Sequence, residues 1–226
     1  MPRLKDKNQN TKKILSDFYE KLLKTFGSQG WWPGRTNFEV IVGAILTQNT
    51  NWGNVERAIK NLKNAKALNV QGMNALEVEK LAELIRPSGY FNLKAKRLKA
   101  FLNYLFDNYG EGRTNLSKFL KNPIEDLRRE LLSINGIGPE TADSILLYAA
   151  YKPVFVLDAY TKRLLHRHGL VGENATYDEM QSLFMDNLNH SEKTFNEYHA
   201  LIVRTGKDFC RPKKPLCEEC PLGVFL

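Results

Sequence analysis

The stretch Leu131-Leu-Ser-Ile-Asn-Gly-Ile-Gly-Pro-Glu-Thr-Ala-Asp143 decides how this chain is read. An apolar helical pattern ends near Leu132, a Gly-x-Gly turn follows, and Pro139 stands where a new helix begins. Glycine admits left-handed backbone angles and close approach. Proline suits the first helical position, where its missing N–H costs nothing. The turn therefore aims backbone N–H groups and a helix N-terminus at one spot, which suits an anion such as a DNA phosphate. A plain connection between two helices with a glycine stop has the same composition, so both readings stand at this point.

Outward from this segment the periodicity is helical nearly throughout. Ile14, Leu15, Phe18, Tyr19, Leu22, Leu23 and Phe26 recur at three- and four-residue spacing until Gly27 stops the helix. Short buried helices are expected over residues 38–46 and 55–62. Asn74 is expected to cap a helix carrying Leu76, Leu81, Leu84 and Ile85, ended by Pro87. Longer helices follow over residues 91–109, from Pro123 to Leu132, and from Pro139 to about Tyr151. Asp158 precedes another, ending near Gly169. Thr176 and Glu179 have capping-box spacing for a helix through Leu188, and a last helix covers roughly residues 195–204. Residues 154–157 alone have strand-like composition, and four residues do not make a sheet. The expected fold is all-α.

The 226 residues allow one large domain or two small ones. Apolar residues at 42% and charged residues at 26% exclude disorder. The longest apolar-plus-glycine run, residues 40–46, is too short to cross a bilayer. The polar, basic first 13 residues have no apolar core of a signal peptide. A cytoplasmic protein is therefore expected, nucleoid-associated if prokaryotic. The 33 Lys and Arg against 25 Asp and Glu give a formal net charge of +8, which fits a polyanionic partner without proving one.

The hairpin resembles the helix-hairpin-helix of the endonuclease III superfamily of DNA glycosylases, whose pattern is Leu-Pro-Gly-x-Gly-x-Lys-Thr-Ala. Gly136, Gly138, Thr141 and Ala142 match, while Ile134-Asn135 replaces Leu-Pro. Eighteen residues after Glu140 comes Asp158, in the segment Val156-Leu157-Asp158-Ala159-Tyr160-Thr161-Lys162-Arg163, which is similar to the family's Val-Asp-Thr-His-x-x-Arg. Upstream, Gly43-Ala44-Ile45-Leu46-Thr47-Gln48-Asn49-Thr50 is similar to its Leu-Ser-x-Gln-Thr stretch. Downstream, Cys210-x6-Cys217-x2-Cys220 repeats the first three spacings of its iron–sulfur loop.

The resemblance implies two helical domains. One is a barrel over residues 29–151 with the hairpin at about 127–148. The other is built from residues 1–28 and 152–226, with the cysteine loop at 210–226. The active site is expected in the cleft between them, with Asp158 catalytic. Burial would raise the Asp158 pKa, whereas a helix N-terminus and capping N–H groups would lower it. If the second effect wins, an ionised carboxylate can stabilise an oxocarbenium-like sugar and activate water. Gly136, Ile137, Gly138 and Thr141 are expected to hold DNA, and Gln48 to fill the gap left by a flipped nucleotide. The partner is double-stranded DNA with a flipped damaged base, bound by a monomer away from any membrane.

Bifunctional members carry a lysine at the position of Glu140, which forms a Schiff base. A carboxylate cannot, so AP lyase activity is expected to be weak or absent. Trp31-Trp32-Pro33 and Trp52 resemble the 3-methyladenine DNA glycosylase branch, which implies a base pocket of Trp32, Pro33, Trp52 and Glu140. A cationic alkylated purine is already a good leaving group and favours aromatic faces by about 0.5–2 kcal/mol. A glycosylase for oxidised pyrimidines or mismatches, and a non-catalytic helix-hairpin-helix DNA-binding module, are the rival readings.

Cys210, Cys217 and Cys220 imply a [4Fe–4S] cluster, which ordinarily takes four thiolates. Leu226 occupies the expected fourth position. A non-cysteine fourth ligand (Glu218, Glu219 or the more distant His199, which reads first as a structural helix residue), loss of the cluster, and zinc are the alternatives. The basic loop residues Arg211, Lys213 and Lys214, and the run Lys94-Ala-Lys96-Arg97-Leu-Lys99, are candidate phosphate contacts or solvated faces. His166 and His168 lie near a helix end and receive no catalytic role.

Overall fold

The computed structural model describes residues 4–31, 34–110, 112 and 115–226. These residues form helices and connecting loops, with no strand among them. The chain divides into two compact units, residues 32–152 and residues 1–31 with 153–226. No helix among the described residues is long and apolar enough to cross a membrane.

The central unit holds α2 (Asn37–Leu46), α3 (Trp52–Asn64), α4 (Val70–Asn74), α5 (Val78–Leu84), α6 (Phe91–Tyr109), α7 (Asn115–Leu120), α8 (Ile124–Ser133) and α9 (Pro139–Tyr148). The helix α2 is buried along nearly its whole length, which is why its sequence is apolar all round. It packs on α9 and α6, so the helix after the hairpin is seated on the central helix of the unit. Thr36 caps α2 through the Glu39 N–H, and Asn51 caps α3 through the Asn54 N–H.

The second unit holds α1 (Leu4–Phe26), α10 (Ala159–Arg167), α11 (Tyr177–Met185) and α12 (Glu192–Asp208). The helix α1 lays Leu15, Phe18 and Leu22 into the core, and the Tyr198 hydroxyl of α12 donates to the Leu15 carbonyl at 2.8 Å. Phe155 stacks on Phe184 at 3.7 Å and meets Phe195 and Tyr198 edge-on. Thr176 and Glu179 form the capping box expected of them.

Several expectations are corrected. Asn74 ends α4 instead of capping a helix; Asn69 is the cap that accepts from the Gly72 N–H. The short α7 and the split between α4 and α5 carry too few periods to read from sequence. The helix α9 stops at Tyr148, short of Tyr151, whose backbone is left-handed. The helix α11 ends at Met185, before Leu188, whereas α12 runs four residues beyond Arg204. Residues 154–157 are buried and form no strand, because burial between helices favours the same Val-rich composition as a sheet.

The basic run on α6 is not one solvated face. Lys94 is buried, and its Nζ donates to the Leu46 and Ser88 carbonyls at 2.8 and 2.7 Å. Burial, aided by the Arg97 charge, pushes its pKa down to about 8. Lys99 donates to the Asn74 carbonyl at 2.7 Å. Of the four cations in the run, Lys96 alone is exposed.

The two helices of the hairpin are braced by an ion pair. Asp143 is completely buried, and Arg128 reaches both its oxygens at 2.8 and 3.2 Å. Removing only Arg128 takes a two-pronged cationic partner from a buried carboxylate. Arg128→Met is expected to destabilise the protein by about 3–5 kcal/mol in urea unfolding, and replacing both partners with apolar residues to restore most of that loss.

Candidate functional site

The hairpin is built as its sequence suggests, but its two glycines differ in function. Gly136 has φ +87°, and a Cβ there would collide with the Arg97 side chain. Gly138 is extended at φ −93°, with open space where a Cβ would stand. Only Gly136 therefore uses the left-handed freedom of glycine. Ile137 between them is buried and anchors the turn, so it is not an exposed DNA contact through its side chain. Pro139 opens α9, whose first-turn N–H groups have no preceding helical carbonyl. Glu140 is exposed in that first turn.

The loop between α2 and α3 carries Gln48, preceded by the α2 cap Thr47 and followed by left-handed Asn49 at φ +52°. Asn tolerates that region better than most residues. The Gln48 amide joins this loop to the hairpin. Its Nε2 donates to the Gly136 carbonyl at 3.0 Å and to the Thr141 hydroxyl at 2.9 Å. Its Oε1 accepts from the Arg97 guanidinium. Gln48, Gly136 and Thr141, separate in sequence, thus share one hydrogen-bonded cluster. Arg97 was missed as a member because its partner lies 49 residues away, on another helix.

Trp52 begins α3, and its indole donates to Glu56 at 3.0 Å. It lines a cavity of about 420 Å³ together with Arg35, Glu39, Lys60 and Lys63. Trp32 and Pro33 lie outside the described residues. Trp31 belongs to the terminal unit, where the Lys207 ammonium sits 5.7 Å from its ring centre.

Asp158 is the N-cap of α10. Its Oδ1 accepts from the Thr161 N–H at 2.8 Å and the Thr161 hydroxyl at 2.9 Å. Its Oδ2 lies 3.5 Å from His199 Nε2 on α12. Both side chains are nearly buried, at 13% and 7% exposed. Burial pushes the carboxyl pKa up, but His199 and Thr161 more than offset it, and the net shift is downward. The result is a desolvated carboxylate that prefers to be ionised. His199 is thus placed beside Asp158 within the core, as a residue of a buried helix face, and is not among the residues that line the cysteine cavity. The signal available was an imidazole on the buried face of a helix, between Phe195 and Ile202.

Cys210, Cys217 and Cys220 line one cavity, with His168, Arg167 and Leu226. Burial, together with the neighbouring Cys210 and Cys217, pushes the Cys220 thiol up, against hydrogen bonds from the backbone at Leu222 and Gly223. Among the described residues no three His, Cys, Asp or Glu side chains converge as a single ion requires. The cavity that the three cysteines share is about 20 Å³, and they supply three of the four thiolates that a [4Fe–4S] cluster ordinarily takes. Glu218 and Glu219 are not among the residues lining the cavity. Arg163 and Arg167 of α10 tie this loop down by donating to the Cys210, Arg211 and Pro212 carbonyls.

A helix-hairpin-helix turn that opens α9 and a buried carboxylate of lowered pKa at the start of α10 are the chemistry-bearing features of this chain. The family model for the HhH-GPD superfamily base excision DNA repair protein matches residues 42–190. A chain of Methanocaldococcus jannaschii assigned to the DNA repair glycosylases is 50% identical over 217 residues, covering 96% of this chain and 97% of that one. Endonuclease III of Thermotoga maritima is 30% identical, covering 81% and 79%. The solved 3-methyladenine DNA glycosylase of H. pylori, bound to 1,N6-ethenoadenine, is 32% identical with a TM-score of 0.72, covering 87% of this chain and 97% of that one. The chain belongs to the HhH-GPD superfamily and is a DNA glycosylase of base excision repair.

Gly136→Ala is expected to lower stability by at least about 1 kcal/mol, since it adds left-handed strain to the displacement of Arg97. It is also expected to weaken binding to undamaged duplex. Thermal melting and fluorescence anisotropy measure the two effects, and Gly138→Ala serves as the comparison that leaves melting nearly unchanged.

Proposed function

We propose that this protein is a monofunctional DNA glycosylase that releases an N-alkylated purine, such as 3-methyladenine, from duplex DNA. The observation that carries the reading is Asp158, a buried carboxylate lowered in pKa by His199 and Thr161. Such a group offsets positive charge developing at C1′ as the glycosidic bond breaks. The bonding electrons leave with the base, water adds to C1′, and a water proton passes to Asp158. A cationic alkylated purine departs as a neutral base and needs no strong general acid.

Two residues support the narrower claims. Glu140 stands where a Schiff-base lysine would be needed, so the chain carries no amine there for β-lyase chemistry. Trp52 offers an aromatic face to a cationic base. The likeness to the H. pylori glycosylase supports the same substrate class. The hairpin residues Gly136, Gly138 and Thr141 would hold phosphate, and Gln48 would have to release its hairpin contacts to enter the duplex. Cys210, Cys217 and Cys220 would hold a [4Fe–4S] cluster whose contribution is structural, ordering the basic loop around Arg211.

Duplexes carrying 3-methyladenine, an oxidised pyrimidine or a mismatch test the reading, each assayed with and without borohydride. Preferred release of the alkylated base without a trapped covalent complex is expected. A trapped complex contradicts the Glu140 argument, and preference for the oxidised base contradicts the substrate. Asp158→Asn is expected to lower kcat by 10²-fold or more without loss of duplex binding. Protein purified without air is expected to contain iron and sulfide and to absorb in the visible; Cys217→Ser is expected to lose both. Absence of iron from wild-type protein rejects the cluster.

A further inference from the structure

We infer that His199 is the positioning residue of Asp158: it faces Oδ2, the carboxylate oxygen left for chemistry, and holds that oxygen ionised and in place. The inference rests on the glycosylase reading of Asp158.

The two carboxylate oxygens have separate tasks. Oδ1 is occupied by both donors of Thr161 and belongs to the start of α10. Oδ2 faces the His199 imidazole at 3.5 Å. An oxygen already holding two short hydrogen bonds is a poor acceptor for a water proton, so Oδ2 is the base oxygen. A carboxylate this buried would ordinarily be held neutral, and a neutral carboxyl can neither offset sugar charge nor accept a proton. Thr161 answers the charge at Oδ1 and His199 at Oδ2. The His199 side chain is 7% exposed, so it acts on the reaction through Asp158 and not by touching substrate.

The placement of His199 is built into the helix pair. The helices α10 and α12 pack closely along their length. Two turns beyond His199 on α12 lies Gly206, where any Cβ would collide with the Tyr160 ring of α10. The Arg163 guanidinium of α10 donates to the Gly206 carbonyl at 3.1 Å. This close approach draws the start of α10 against α12, where His199 meets the cap. From α11, Tyr177 reaches the neighbouring residue, its hydroxyl oxygen 3.4 Å from the Leu157 N–H. The groups facing the carboxyl itself are Thr161 of α10 and His199 of α12.

The test pairs single-turnover kinetics on a 3-methyladenine duplex with carbon-13 titration of the Asp158 carboxyl, in wild type and in His199→Gln and His199→Ala. Melting curves identify any variant that fails to fold, and Gln retains the volume and an N–H donor. In His199→Ala the rate is expected to fall about 10- to 100-fold, the range for losing a partner that orients a reacting group. Duplex affinity is expected to stay within about twofold. Both the acid limb of the rate profile and the carboxyl titration should move to higher pH. The sign follows from the removal of a group that favours the ionised form, which leaves burial to dominate. His199→Gln should fall between. An unmoved carboxyl titration in a folded Ala variant overturns the inference, whatever the rate does. A moved titration in a protein that releases no base from any duplex supports the His199 contact and rejects the glycosylase reading instead.

Discussion

A carboxylate enclosed by protein stays charged only when other groups replace the water it has lost. That constraint governs the terminal unit. Asp158 obtains two donors by standing at the start of α10, where its own helix supplies the Thr161 N–H and hydroxyl. The second oxygen depends on a residue 41 positions later, brought in by α12. The spacing of α10 and α12 is therefore set tightly, and Gly206 is the residue that permits it. The aromatic stack of Phe155 on Phe184, with Phe195 and Tyr198 around it, fixes the segment before Asp158 and the helix that carries His199 as one packed body. The same α10 ends on the cysteine loop, to which Arg163 and Arg167 are bonded.

The central unit answers a different requirement, that of presenting an exposed turn without letting it move. Burial of α2 under α9 provides the seat. The Arg128–Asp143 pair clamps the helices on either side of the turn. Gln48 and Arg97 then hold the turn from the side, with Gly136 providing the space for the Arg97 stem. Residues with the appearance of a solvated basic face are largely internal fasteners. Lys94 gives its ammonium to two backbone oxygens and Arg97 directs one guanidinium nitrogen to Gln48 within the unit, so the net charge of +8 overstates what those two offer to a phosphate.

Sequence reasoning succeeded where the physical cause is local. The capping box at Thr176, the cap at Asp158, the Gly27 stop and the Pro139 start each depend on residues within one turn of helix. It erred at Asn74, which falls at the end of α4, a helix too short to read from periodicity, while α5 starts after Glu77 with no side-chain cap. It also erred where composition has two causes, as in residues 154–157. The two hairpin glycines look alike as letters, and only the backbone separates the strained one from the open one.

The sequence alone determined the helical class, the hairpin, the order of its motifs and the identity of Asp158 as the candidate catalytic group. The helical class and the hairpin follow from periodicity and turn residues, whereas the motif order and Asp158 follow from the resemblance to a known family. Tertiary structure decided the partners: His199 for Asp158, Arg97 and the hairpin for Gln48, Leu46 and Ser88 for Lys94. Each pairing joins a buried polar group to another element of the fold. Burial demands that such a group be satisfied, but nothing in the neighbouring sequence says which distant residue will do so.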